Sequence, residues 1–350
     1  MRKFCNSIAR RASLGAVAIF ITLAISASHA FAQAGARDAA DLEALIKAAR
    51  TEGEVTFYCA QVEVVAKRVA EAFSTKYGIK AQYIRLPSSQ LMQRYAAEAE
   101  SGNIAADVVF NAGNAVGFAE EGLKKGWVES ISAAGLPVLK SGQFPAARNS
   151  GPTAVIQIGP EHIVYNTDRV KGADIPKTWQ DLLHPRFKGQ ILIPDPRASD
   201  ATLDQWVMIM HKYGEGFIKQ INAQVGRRFG SGVPAIQALA AGEGMLMFPI
   251  TRPSIDALSA KGAPVAGIIP DVVTGVEIQV MLTARAKSKH PNAGRLLANY
   301  VMSPEGNKVF NDDPGGFPIY DLSNLPKGYE PPSRTSATFK QQITTLLGFQ

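Results

Sequence analysis

The chain has 350 residues, 46% of them hydrophobic and 19% charged, with a formal net charge of +7. That is an ordinary globular composition with no internal repeat or low-complexity segment, and the length suggests two domains or lobes. The charge does not argue for a nucleic-acid partner: four basic residues and no acidic ones fall in the first 32, leaving 33 basic against 30 acidic residues, about +3, a bias that favours an anionic ligand over a cationic one.

Arg2, Lys3, Arg10 and Arg11 precede an uncharged run from Leu14 to Ser26, and Ala30-Phe31-Ala32 offers a small-x-small cleavage site before Gln33. This layout predicts a secretory signal peptide over residues 1–32, cleaved near Ala32, and an exported mature protein. The 13-residue apolar run is too short to span a bilayer, which takes about 20 residues. No Cys follows the run to suggest a lipid anchor. Cys5 leaves with the leader, so Cys59 stands alone, no internal disulfide is available, and stability must come from packing.

In chain order, Asp41–Arg50 reads as a short amphipathic helix with Leu42, Leu45 and Ile46 on one face. Val55–Cys59 is a strand, Val62–Tyr77 a helix ended by Gly78, Ala81–Leu86 a strand, and Ser88 or Ser89 caps a helix running to about Ser101. Asp107–Phe110 is the next strand, and Asn111-Ala112-Gly113-Asn114 the turn before another helix. Strand alternating with helix predicts a parallel α/β sheet. The middle of the chain reads as a strand at His162–Tyr165, a short helix at Trp179–Leu183, a strand at Gln190–Ile193, a polar loop at Asp195–Asp200, and helices at Thr202–Tyr213 and Phe217–Gln224. Val233–Ala241 is a helix before the strand Met245–Ile250. Strands follow at Val265–Ile269 and Val276–Leu282, then a helix at Asn292–Met302 and another begun by Ser303-Pro304-Glu305. Leu325–Ser333 is an extended tail and Ser336–Leu347 a last helix.

Motifs of catalysis are absent: no G-x-S-x-G elbow, no H-E-x-x-H, no C-x-x-C and no phosphate-binding G-x-x-x-x-G-K-[ST]. His162, His184, His211 and His290 are dispersed without metal-ligand spacing and read as structural, and Asp312-Asp313 before Pro314-Gly315-Gly316 reads as turn chemistry. No enzyme and no cofactor is expected; a secreted hydrolase on the same scaffold is the rival from another class.

In an open α/β sheet, ligands bind beyond the carboxyl ends of the strands, where helix N-termini present free N–H groups to anions. Five segments have that placement: Cys59-Ala60-Gln61; Pro87-Ser88-Ser89; Asn111-Ala112-Gly113; Arg197-Ala198-Ser199 with Thr202; and Pro249 to Pro253, including Thr251 and Arg252. Arg197 and Arg252 stand beside strand ends and have the geometry to grip a carboxylate or phosphonate with paired hydrogen bonds. The alternative for both is an ion pair with Asp195, Asp200 or Asp256. Cys59 is either a reactive thiol or a small buried hydrophobe.

Several stretches resemble bacterial periplasmic solute-binding proteins of the ferric iron, thiamine, polyamine and aminoethylphosphonate group: Ala48 to Tyr58, Ala106 to Phe110, Val164 to Asp168 with Ile175 to Leu182 and Pro185 to Ile191, Ala240 to Glu243, and His290 to Ala293 leading to Tyr300 to Gly306. The resemblance implies an α/β periplasmic binding protein of the two-lobe, type II-like kind with a ligand cleft between the lobes. It implies a monomer that closes on a small-molecule solute and docks on an inner-membrane ABC permease. Expected boundaries are residues 33–130 plus 265–320 for lobe 1 and 131–264 plus 321–350 for lobe 2. The iron-binding branch of this group uses adjacent tyrosines where this chain reads Phe248-Pro249-Ile250-Thr251, and a further tyrosine near Gln157-Ile158-Gly159. Iron bound directly by the protein is therefore not expected, although iron brought with a chelating anion stays open. The candidate loops also lack the acids and aromatics a polyamine requires. The expected solute is a small organic anion, a carboxylate or phosphonate, with Arg197 and Arg252 taking its charge and Ser88, Ser89, Asn111 and Ser199 orienting it.

Overall fold

The computed structural model describes residues 38–312, 315–333 and 336–349; the expected signal peptide and Asp313 lie outside them. The chain opens with helix α1 (38–52), then β1 (Glu54–Cys59), α2 (Glu63–Tyr77), β2 (Lys80–Arg85), α3 (Ser88–Glu100), β3 (Val108–Asn111), α4 (Ala115–Lys125), β4 (Val128–Glu129) and α5 (Pro137–Lys140). A long strand, β5 (Ala154–Asn166), leads to β6 (Ile191–Pro194), α6 (Asp200–Gln224), β7 (Val225–Phe229), α7 (Gly232–Ala240), β8 (Leu246–Thr251), α8 (Arg252–Ser259) and β9 (Val265–Ile268). The last elements are β10 (Gly275–Thr283), α9 (Pro291–Met302), α10 (Pro304–Phe310), β11 (Phe317–Pro318) and α11 (Ala337–Leu346).

Two sheets share β5. In the first, β1 runs parallel to β2 and β3, and β10 lies antiparallel between β3 and the first half of β5. In the second, β6 runs parallel to β7 and β8, while β8 and β9 flank the second half of β5 in antiparallel pairing. Side chains alternate faces along each strand, so each sheet has a core on both sides. Val55, Phe57 and Cys59 of β1 face one core with Val108, Phe110, Ile278, Val280 and Leu282, whereas Tyr58, Val109 and Met281 face another. In the second sheet Ile191, Ile193, Leu246 and Phe248 pack with Trp179, Trp206 and α6. Leu192, Met247 and Ile250 meet Ala235, Ile236 and Leu239 of α7 on the other side.

The two lobes follow these cores. Ile131, Leu136, Val138, Phe144, Ala154, Ile156 and Ile158 belong to the first, with Leu322, Leu325 and Tyr329 packed against it; Val265 belongs to the second. Residues within 131–158 and 321–329 thus pack on the first core, and 265–268 pair with the second half of β5. The chain crosses at Gly159-Pro160 within β5 and at Ile269–Thr274 before β10, and passes back to the second lobe between Tyr329 and α11. The first two crossings touch: a Cβ at Gly275 would collide with the Gly159 carbonyl, so glycine permits the close approach.

Most expected elements form within a residue or two. The first half of β5, β4, β7 and β11 were not expected as strands, nor α5 as a helix. The two helices expected at Thr202–Tyr213 and Phe217–Gln224 both form within α6, separated by a kink at Gly214, whose φ of 78° lies outside helical space. Among the described residues no helix is long and apolar enough to cross a membrane. The helix expected from Ser336 docks on the second core through Ile343 and Leu347, and so returns the C-terminal segment to lobe 2.

Candidate functional site

A cavity of about 340 Å³ lies where the two lobes meet, walled by residues after β1, β2, β3, β6, β7 and β8 and floored by β5 and β10. Parallel strands in both lobes point their carboxyl ends at it, so the helices that follow begin there. From lobe 1 come Ala60, Gln61, Val62 and Val65 around the start of α2, Ser88 at the start of α3, and Ala112-Gly113 before α4. From lobe 2 come Ser199 to Thr202 at the start of α6, Ser231-Gly232-Val233 at the start of α7, and Thr251, Pro253 and Ser254 at the start of α8.

The first-turn N–H groups of a helix have no partner inside it. At α6 a side chain supplies one, since Ser199 Oγ accepts from Thr202 N–H at 3.1 Å. At α2, α3, α7 and α8 no side chain caps the first turn, although Ser231 and Thr251 occupy the capping positions of α7 and α8. Donors and positive dipole ends thus converge from both lobes on one space.

The floor is polar. Gln157, Gly159 and Glu161 alternate along β5 and line the cavity beside Val276 and Ile278 of β10. Gln157 Oε1 accepts from Gln61 Nε2 and ties the floor to the loop after β1. Glu161, 4% exposed, has an Oε2 atom with no hydrogen-bond partner, and burial pushes its carboxyl up to about 8. Beside it, His162 is buried with Nδ1 3.0 Å from the Pro160 carbonyl; burial lowers its pKa to about 4, so it is neutral. This agrees with a structural role for His162.

Of the residues singled out from sequence, Ala60, Gln61, Ser88, Ala112, Gly113, Ser199, Thr202, Pro249 and Thr251 line this cavity, whereas Cys59, Ser89, Asn111, Arg197, Ala198 and Arg252 do not. Cys59 points into the first core, and burial raises its thiol to about 12. Asn111 is buried and donates through Nδ2 to the Ala112 carbonyl at 2.8 Å. The two arginines expected to bind the anion are both ion-paired and lie off the cavity lining. Arg197 pairs with Asp195 (Nη2–Oδ2 2.7 Å) and Arg252 with Asp256 (Nε–Oδ1 2.6 Å), each with a carboxylate within four residues on its own segment. The cation in the cavity wall is Arg85, at the end of β2, held by Nε donating to the Gln61 carbonyl at 3.1 Å. Arg85, Gln157, Glu161 and Ser231 were missed. Arg85 and Ser231 follow the same strand-end rule that found the others; Gln157 and Glu161 needed the first half of β5 to be seen as a strand.

No group of three or more His, Cys, Asp or Glu side chains among the described residues has the arrangement to hold a metal ion. Where the iron-binding branch is expected to place tyrosines, Gln157, Gly159, Pro249 and Thr251 line the cavity.

A model of the bacterial extracellular solute-binding protein family matches residues 55–313. An uncharacterized protein from Haemophilus influenzae is 25% identical over 299 residues, which is 83% of this chain and 82% of that protein. Two solved periplasmic structures share the fold. Iron-bound HitA from Pseudomonas aeruginosa aligns with a TM-score of 0.65 at 19% identity, over 85% of this chain and 99% of that one. The periplasmic binding protein AfuA from Actinobacillus pleuropneumoniae, with exogenous fructose-6-phosphate bound, aligns with a TM-score of 0.57 at 21% identity, over 73% of this chain and 81% of that one. With two α/β lobes around a cleft, and a family match over most of its length, the chain belongs to the bacterial extracellular solute-binding proteins.

Proposed function

We propose that this protein is the periplasmic solute-binding component of an ABC importer, a monomer that closes its lobes on a small organic anion and presents it to an inner-membrane permease. The observation that carries the reading is the set of uncapped first turns of α2, α3, α7 and α8 around the cavity that Arg85 also lines. Backbone N–H groups and one guanidinium suit a phosphate ester, phosphonate or carboxylate. Because α2 and α3 belong to one lobe and α7 and α8 to the other, an anion bound by both stabilises the closed arrangement, and closure follows from binding. AfuA, whose structure has fructose-6-phosphate bound, shares this fold, which supports an anionic solute here.

The test is the unfolding midpoint of the mature protein against phosphate esters, phosphonates, carboxylates, polyamines, thiamine and ferric citrate. A solute at about a thousand times its dissociation constant stabilises by roughly 4 kcal/mol. A shift with one class of organic anion, recovered chemically unchanged by mass spectrometry, is the expected result. A shift only with polyamines or thiamine overturns the anionic reading. A shift with ferric citrate but not citrate assigns a chelated iron cargo, and a chemically altered solute assigns a hydrolase.

A further inference from the structure

Glu161 has no structural employment. Its backbone N–H donates to the Thr274 carbonyl at 3.0 Å, and β5 pairs it in register with Thr251. Around it, His162 Nδ1 meets the Pro160 carbonyl and Gln157 bonds Gln61, while Thr274 Oγ1 and Gln205 Nε2 are buried without partners. The Glu161 carboxyl joins that unpartnered group: its Oε2 is buried without a hydrogen-bond partner, and no Lys, Arg or His among the described residues forms a salt bridge with it. A carboxyl left unpartnered in a protein interior is unfavourable, and buried polar groups are nearly always hydrogen-bonded. This one lines the ligand cavity, at the crossing between the lobes.

Resting on the anionic reading above, we propose that Glu161 is a specificity-determining residue that accepts a hydrogen bond from a donor group of the solute, a hydroxyl or an ammonium. The solute is then an anion at one end and a hydrogen-bond donor at the other. Its anionic end meets the helix N-termini and Arg85, and its donor end meets the floor of the cleft. Burial favours the uncharged acid. That form accepts through its carbonyl oxygen from a hydroxyl, while an ammonium would draw it into the ionised form. A purely apolar tail would leave the carboxyl unpartnered in the closed state, so the site discriminates against it.

The experiment is calorimetric titration of the mature protein with three matched series of two to four carbons: n-alkyl phosphates, ω-hydroxyalkyl phosphates and ω-aminoalkyl phosphates, with the matching carboxylates in parallel. In the wild type, a hydroxyl or amino member is expected to bind about tenfold or more tighter than the alkyl member of equal length, as one well-made buried hydrogen bond implies. Glu161→Met is expected to abolish that preference, and a cooperative unfolding transition of the unliganded variant shows that it folds. Glu161→Gln keeps an acceptor, so it retains a preference for a hydroxyl and loses one for an ammonium. An equal preference in wild type and Glu161→Met, or alkyl anions bound as tightly as their substituted partners, overturns the assignment of Glu161 and leaves the anionic reading standing. If no phosphate or carboxylate binds the wild type, the anionic reading falls and this proposal falls with it.

Discussion

Asp200 reaches from lobe 2 to lobe 1: its Oδ2 accepts the backbone N–H of Asn114 at 3.2 Å, while Lys340 Nζ stands 3.7 Å from its Oδ1. Asn114 precedes α4 and Asp200 opens α6, so a single hydrogen bond joins the first turns of two helices across the mouth of the cavity. Gly113, next to it, has φ +69°, and a Cβ there would collide with the Asp200 carboxylate. Asp200→Ala is expected to widen the ligand-free protein in small-angle scattering and to speed dissociation of a bound anion several-fold. Gly113→Ala is expected to destabilise by about 1–2 kcal/mol from the left-handed backbone alone, and to weaken binding further by blocking closure. In the double variant the steric part is relieved, so the effects on affinity should fall short of additive. Strict additivity would show that the two residues do not meet in the closed form.

The cation that matters for affinity should be Arg85. Arg85→Ala removes a charged donor from the cavity wall, and a loss of about tenfold or more in anion affinity is expected. Arg197→Ala and Arg252→Ala should each change affinity less than about threefold, because both guanidiniums are engaged with Asp195 and Asp256 outside the cavity. Titration of the three variants with the same anion ranks them, and a dominant loss in Arg252→Ala would return the site to the arrangement expected from sequence.

Glu161 should trade stability for recognition. Burial raises its folded pKa to about 8, above the ordinary glutamate value of 4.5. Between those values the folded state holds a proton that the unfolded state releases, so stability falls as pH rises through the window. Below about 4.5 both states are protonated and the difference vanishes. Glu161→Gln does not titrate and should exceed the wild type in stability by an amount that grows from about zero at pH 4 to roughly 3 kcal/mol at pH 7. His162 works in the opposite direction, losing stability as pH falls from 6.5 towards about 4, but it is common to both proteins and cancels. Urea denaturation of the pair across this range reads the difference directly; a pH-independent offset would mean that the carboxyl is ionised in the folded protein.

Cys59 should be inert in the folded protein. It is fully buried in the first core, and burial raises its thiol to about 12. A thiol reagent such as dithionitrobenzoate is expected to titrate no described cysteine in native buffer and one after denaturation. Rapid native labelling would place Cys59 at the cavity after all.

The short apolar runs of β1 and β3, the 3.6-residue spacing of α2 and the Pro or Ser starts of α9 and α10 were legible because each depends on neighbours within a few positions. The loops at Ala60-Gln61, Ala112-Gly113 and Ser199 were legible for a related reason: a parallel strand followed by a helix delivers its connecting loop to one edge of the sheet wherever it occurs. The first half of β5 was not. Its run Ala154-Val155-Ile156-Gln157-Ile158-Gly159-Pro160-Glu161 carries polar residues, a glycine and a proline in a strand that changes sheets. Without that strand, residues 131–158 were read with lobe 2, and Gln157 and Glu161 were invisible as floor of the cleft.

The α/β class, the order of nearly all the elements and the family were readable along the chain, since these rest on local periodicity, caps and short motifs. Which charges line the cavity was settled only in three dimensions. Arg197 and Arg252 look equivalent to Arg85 along the chain, but carboxylates two and four residues away hold the first two outside the cavity wall, while the end of β2 places the third in it. An ion pair is settled by which groups lie within a few ångströms in space, and a carboxyl such as Glu161 acquires its meaning only when the crossing of two lobes buries it with nothing to bind.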